Sequence, residues 1–319
     1  MALAGLWLLD AVLECQPSFF QPEFFGGMLM MNMTAPPAWL WNLLTAVEPV
    51  VVTHAAPANA AAVAVQFAIG LGLLWRTTVR AALALSVPWA LTVWLFGEMG
   101  GGLFVGGGSA LTGAPGAALL YAIVAVLLWP RRPDAGTVVA DGGLLPRPAP
   151  LLVWAAVWVG TAALEGGYLD RSPTFAAQAM DNAAVAGPGW LHAAGQAVGG
   201  LVGTHGALFA AVAGTVQAAV GVGVLFPGAR RAALAAGAAL ALFYGAVGQA
   251  FGGLFSNGVL GILGSGATDP GAAPITVVLA LTLWPRVPRP APRRDSSPPG
   301  SWAHRFRARA APTPSPSGG

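Results

Sequence analysis

One stretch of this chain is written twice. Gly97–Phe104 reads Gly-Glu-Met-Gly-Gly-Gly-Leu-Phe, and Gly248–Phe255, 151 positions later, reads Gly-Gln-Ala-Phe-Gly-Gly-Leu-Phe. The same offset pairs Trp7 with Trp158, Glu14 with Glu165, Pro37 with Pro188, Trp39 with Trp190, His54 with His205, Gln66 with Gln217 and Arg80 with Arg231. After a four-residue insertion the register resumes at 155, pairing Pro115 with Pro270, Trp129 with Trp284 and Arg131 with Arg286. Matches at scarce residue types in fixed register do not arise by drift of composition, so the chain reads as one unit duplicated in tandem. Whatever fold one unit takes, the other must take as well.

Composition says where that unit lives. Hydrophobic residues make up 56% of the chain and charged residues 8%, against about 25% charged in a soluble domain. This predicts an all-α integral membrane protein. A spanning helix needs about 20 mostly apolar residues, and eight runs qualify as candidates, four per unit. They fall at 1–20, 56–75, 81–98 and 111–130, then 150–169, 206–226, 232–251 and 270–285. The predicted organisation is a first four-helix repeat over 1–130, a linker over 131–149, a second repeat over 150–285 and a Pro- and Arg-rich tail over 286–319. The tail lacks an apolar period and reads as disordered.

The arginines orient the spans. The chain has no lysine, and fourteen of its fifteen arginines fall between spans two and three, four and five, six and seven, or after span eight; Arg171 is the exception. Basic loops stay cytoplasmic, which predicts an inner-membrane protein with both termini inside. The net charge of +3 is then a matter of orientation and not of nucleic-acid binding. Four crossings per repeat bring both repeats in from the same side, so they are parallel repeats related by an axis along the membrane normal. The outer segments 21–55 and 170–205 are apolar, carry Trp39, Trp41 and Trp190, and read as surface-lying helices or lids. The Gly-rich 100–113 and 252–267 are expected to dip toward the bundle, where protein can cover irregular backbone.

Few polar side chains interrupt the apolar runs, and each invites two readings. Glu14 and Glu165 stand near the outer ends of the first and fifth spans, with Asp10 one helical turn before Glu14 on the same face. A carboxyl in a span costs about 2.5–3.5 kcal/mol on insertion scales and usually faces a protein interior or a water path. These acids therefore either handle a proton or cation, or pin a helix to an outer loop. Glu98 and Gln249 precede glycine pairs and either bond to turn backbone or line a pocket. Gln66 and Gln217, mid-span, need partners, which neighbouring helices or a ligand can supply. His54 and His205 stand outside, before the second and sixth spans, as helix-entry residues or as a pair able to hold a metal or titrate near neutrality. Met28, Met30, Met31 and Met33 offer thioethers of the kind that suit Cu(I). Asp269-Pro270 reads as a helix start, with Asp as N-cap and Pro at the first position. One cysteine, Cys15, excludes an internal disulfide. No P-loop, HExxH, GxSxG or CxxC occurs.

Four spans per unit, a polar residue in the first span, a basic turn between spans two and three and a Gly-rich outer connection after span three together resemble the DoxX-like membrane family. The resemblance covers about 1–130 and 150–285 as a tandem fusion. It implies an accessory or redox-linked membrane component that holds a quinone and works with a soluble oxidoreductase or another membrane subunit. That accessory component is the leading reading; the alternative is a transporter of a small solute or ion, with Glu14, Glu98 and Glu165 in its path. An enzyme would have to draw its chemistry from Glu14, Cys15, Glu98 and the two equivalent histidines.

Overall fold

The computed structural model describes residues 1–23, 37–104, 108–130, 145–146, 148–171, 188–256 and 267–285, with side chains through 165 in the helix that ends at 171. The methionine cluster at 28–33, most of the linker and the tail lie outside the described residues, as does the middle of 252–267. Every described element is helical. In chain order these are α1 (Ala2–Glu14), α2 (Ala38–Thr53), α3 (Ala55–Gly72), α4 (Val79–Phe96) and α5 (Ala117–Leu127), then α6 (Ala149–Arg171), α7 (Gly189–Gly223), α8 (Arg230–Val247) and α9 (Ala272–Thr282). Four of them, α3, α4, α7 and α8, are long and apolar enough to cross a membrane.

The sequence offset carries over to the helix bounds. α4 and α8 start and stop 151 residues apart, α5 and α9 start and stop 155 apart, and α7 covers the positions of α2 and α3 together. The backbone bends at the same place in each half. His54 sits between α2 and α3 at φ −116°, ψ 33°, and His205 kinks α7 at φ −134°, ψ 37°. The first half breaks there because Pro57 lacks an N–H and crowds the carbonyl four residues back. Leu208, its counterpart, permits α7 to bend without ending. α2 thus forms a separate arm, seated through Leu40 and Leu44 on Met99, Leu95 and Phe96, with Trp39 meeting Phe104 edge-on at 5.2 Å.

α5 and α9 hold 11 residues each, or about 16 Å of helix, half of what a bilayer core of about 30 Å requires. The runs 111–130 and 270–285 are therefore helical only in part. Turns precede each helix, and those turns enter the bundle: Ser109 and Leu111 are fully buried. The two short helices pack on each other in a core shared by both halves, with Leu120, Tyr121 and Val124 on one side and Ile275 and Leu279 on the other.

The turns also cross over. Ser109–Thr112, before α5, packs against α6 and α8 of the second half. Ala267, before α9, packs with Leu13 of α1, and Gln16 Nε2 donates to its carbonyl at 3.2 Å. Glycine makes these approaches possible. Gly101 (φ +59°) leaves no room for a Cβ beside the Pro115 carbonyl, and Gly252 (φ +67°) leaves none beside the Asp269 carbonyl. Gly101→Ala should lower stability by about 1–2 kcal/mol from the left-handed backbone alone, with the overlap adding to it. Unfolding of the detergent-purified protein measures this, and an unchanged midpoint would contradict the geometry.

Candidate functional site

A cavity of about 350 Å³ opens among α1, α3, α4 and α5, roofed by Val47 and Val51 of α2. Most of its wall is apolar, from Trp7, Phe19, Trp89, Val93 and Phe96. Four carboxyls share it: Asp10 and Glu14 from α1, Glu98 from the turn after α4, and Asp269 from the crossing segment of the second half. No basic side chain lines it. Thr92 lines it too and is exposed, so the cavity reaches the outside of the bundle on the α4 side.

Each polar group has an identifiable support. The α1 periodicity places Asp10 and Glu14 on the cavity face of that helix. Asn59 anchors the helix end by donating Nδ2 to the Glu14 carbonyl at 2.9 Å. Trp7 Nε1 donates to Ser86 Oγ at 3.0 Å, and its ring meets Tyr121 edge-on at 4.8 Å. Glu98 accepts from the Ala118 backbone N–H at 3.0 Å and 3.2 Å through its two oxygens. A carboxylate there complements the positive end of α5. Asp269 accepts from Gly271 N at 2.6 Å and from Thr268 Oγ1 at 3.0 Å.

What distinguishes the cavity is what it leaves unpaired. Tyr121 stands beside Asp10 and Gln66 beside Glu14. Yet Asp10 Oδ1, Glu14 Oε2, Gln66 Oε1, Trp89 Nε1 and Tyr121 Oη are all buried with no hydrogen-bond partner among the described residues. Most buried polar atoms in folded proteins are paired. Tyr121 with Asp10 and Gln66 with Glu14 are placed to pair with each other, so the five are a lightly paired polar set around one cavity.

The corresponding region of the second half is filled. Phe209 stands where Ala58 does, Phe243 where Thr92 does and Tyr244 where Val93 does, and the remaining void is about 30 Å³. Glu165, fully buried, accepts from Ser109 Oγ at 2.9 Å and 2.8 Å, from Ala110 N at 3.0 Å and from Gln217 Nε2 at 2.8 Å. Gln217 Nε2 also donates to Tyr244 Oη at 2.9 Å. Among the described residues, Gln217 Oε1 and Trp158 Nε1 remain unpaired in this region. Two equivalent glutamates thus have opposite surroundings.

The polar residues singled out in the sequence therefore divide between the halves. Glu14, Gln66 and Glu98 converge on the cavity, whereas Glu165 and Gln217 form the paired cluster. Gln249 borders the small void and bonds to backbone, accepting from Ala272 N at 3.0 Å and donating to the Ala110 carbonyl at 3.4 Å. His54 Nδ1 contacts the Val50 carbonyl at 2.9 Å and His205 Nδ1 contacts Thr204 Oγ1 at 2.8 Å; neither lines the cavity. No three His, Cys, Asp or Glu groups among the described residues come close enough to hold a metal ion. Cys15 is exposed. Asp269 is not a helix cap: α9 begins at Ala272 with Gly271 as N-cap, and the Asp269 side chain belongs to the other half's cavity. Tyr121 is missing from the sequence reading, although it is one of only three tyrosines in the chain and interrupts an otherwise apolar helix. Searches against family models, characterised proteins and solved structures find no match to this chain, so the functional argument rests on this geometry.

Proposed function

We propose that this is an eight-span inner-membrane protein of two parallel four-helix repeats, with both termini cytoplasmic, and that it carries a small solute through the first-half cavity. The matched helix bounds and the one-sided arginines support the topology. Arg80 Nη2 donating to the Pro130 carbonyl at 3.1 Å joins the start of α4 to the end of α5, as two ends on one face require. α1, α5 and α9 are short for a crossing, and the buried turns beside α5 and α9 extend their path. The cavity then lies in the outer half of the bilayer, at the C-terminal ends of α1 and α4.

One observation carries the functional reading. The helix bounds of the two halves match, but among the described residues the first keeps a cavity of about 350 Å³ with four carboxyls and five unpaired polar atoms, the second a void of about 30 Å³ with two. A carboxyl at membrane depth that faces a cavity marks a substrate or proton path by default. Parallel repeats around a central axis are a known transporter architecture.

The test needs no known substrate. In a Cys15→Ser background, Ala62→Cys places a thiol in the cavity wall and Ala213→Cys places one at the matching position of the filled half. In oriented vesicles, a membrane-impermeant thiosulfonate should modify Ala62→Cys from either face and leave Ala213→Cys unmodified. Modification from the outer face alone would overturn the carrier. It would favour a second, DoxX-like reading in which the cavity holds a quinone for a partner oxidoreductase. That reading draws on Trp89 Nε1 and Tyr121 Oη, two donors able to meet quinone oxygens.

A further inference from the structure

We infer that the cavity takes a primary organic ammonium ion with an apolar body, its N–H groups donating to Asp10, Glu14 and Gln66, and with Asp269 of the second half supplying opposing charge. The inference rests on the cavity being the binding site, as proposed above, and names the ligand's chemical class.

Three kinds of observation lead to it. First, three of the unpaired atoms are acceptors on neighbouring side chains: Asp10 Oδ1, Glu14 Oε2 and Gln66 Oε1. They call for a donor, and an alkylammonium presents three N–H groups and no acceptor. Second, the charge in the wall has one sign. Four carboxyls and no basic group repel an anion and reward a cation, more so where water is excluded. A bare metal ion does not fit, because among the described residues the acids do not draw into a coordinating group. They are spread around a chamber of about 350 Å³. Third, the remaining wall is aromatic and aliphatic. Trp7 and Trp89 line it, and an indole ring attracts a desolvated cation by about 2 kcal/mol; Phe19, Val47 and Phe96 suit a hydrocarbon body.

The position of the mouth fits the same ligand. Thr92 lies four residues before the end of α4, about 6 Å along the helix. In the proposed orientation this places the opening near the outer membrane–water boundary, within reach of a cation from the aqueous side. The second half carries Thr161 in place of Asp10 and Ala114 aligns with Asp269. The cation site therefore exists once, and both halves contribute to it.

Titration calorimetry on the full-length protein in detergent, with benzylammonium, benzyl alcohol and benzoate as probes, tests this directly. Benzylammonium should bind at least about tenfold tighter than benzyl alcohol, since a hydrogen bond to a charged group is worth about 1.5–3 kcal/mol. Benzoate should not bind. Asp10→Asn and Asp269→Asn should each weaken benzylammonium about tenfold or more. Should either variant fold poorly, a measurement with every carboxyl intact takes its place: benzylammonium should protect Ala62→Cys from the thiosulfonate, and benzyl alcohol should not. Equal affinity for alcohol and ammonium, tighter benzoate, or no binding of any probe would overturn the inference. The two proposals fail separately. Labelling from both faces without ammonium preference keeps the carrier and removes the cation, whereas ammonium binding with one-sided labelling does the reverse.

Discussion

Glu165→Ala should unfold at markedly lower temperature than the parent protein, and Glu14→Ala should not, although the 151-residue offset pairs the two glutamates. Glu165 binds three donors from two segments: Ser109 Oγ and Ala110 N of the turn before α5, and Gln217 Nε2 on α7. Hydrogen bonds between membrane helices are worth about 0.6 kcal/mol on average and up to about 1.7. Three lost together come to about 2–5 kcal/mol on that scale. The donors left behind are buried, which raises the cost further. Glu14 has an unpartnered side-chain oxygen facing a cavity, and removing a buried group that lacks a partner is often neutral. Its substitution should shift stability by less than about 1 kcal/mol while abolishing ligand binding. Chemical denaturation in detergent reads the first effect and calorimetry with benzylammonium the second. A Glu14→Ala protein as unstable as Glu165→Ala would mean that Glu14 is a structural group.

The converse experiment converts the first half into the second. Val93 lines the cavity, and its counterpart Tyr244 fills the equivalent space and accepts from Gln217. Val93→Tyr therefore brings a ring into the chamber and a hydroxyl to Gln66. Stability should rise by about 1 kcal/mol, the worth of one interhelical hydrogen bond together with added packing. Ligand binding and two-sided labelling at position 62 should both disappear. Stabilisation with loss of activity is the expected trade where a site is held open for function. A variant that melts higher and still binds benzylammonium would show that the ligand sits elsewhere.

How much of this the sequence displayed depends on the distance over which each feature is determined. Helix positions follow from apolar runs of local origin, so α3, α4 and α8 lie close to where hydropathy places them. The offset of 151 residues fixes which positions must play matching parts. Glu14, Gln66 and Glu98 are visible because a polar residue in an apolar run is conspicuous. Asp269 is conspicuous as well, but its local context before proline describes a helix cap. Only the crossing of its segment into the other half places it against Asp10 and Glu98. Ser109 escapes notice for the same reason, since its partner Glu165 is 56 residues away in the chain. The lengths of α5 and α9 were hidden too: an apolar run reports burial, and buried turns are as apolar as buried helix. The histidines show the opposite case. Their pairing by the offset is real, and what it marks is a shared bend in the backbone.

The exchange of turns has a consequence for how such a protein can come about. In the proposed tandem architecture, a lone four-helix unit would lack the segment that completes its own interior and would be stable only beside a second copy. In a pair of identical chains, any change that seals one chamber seals both. Joining the copies into one polypeptide fixes them at one to one and lets each accumulate its own substitutions. One can then harden into a keystone while its twin stays hollow.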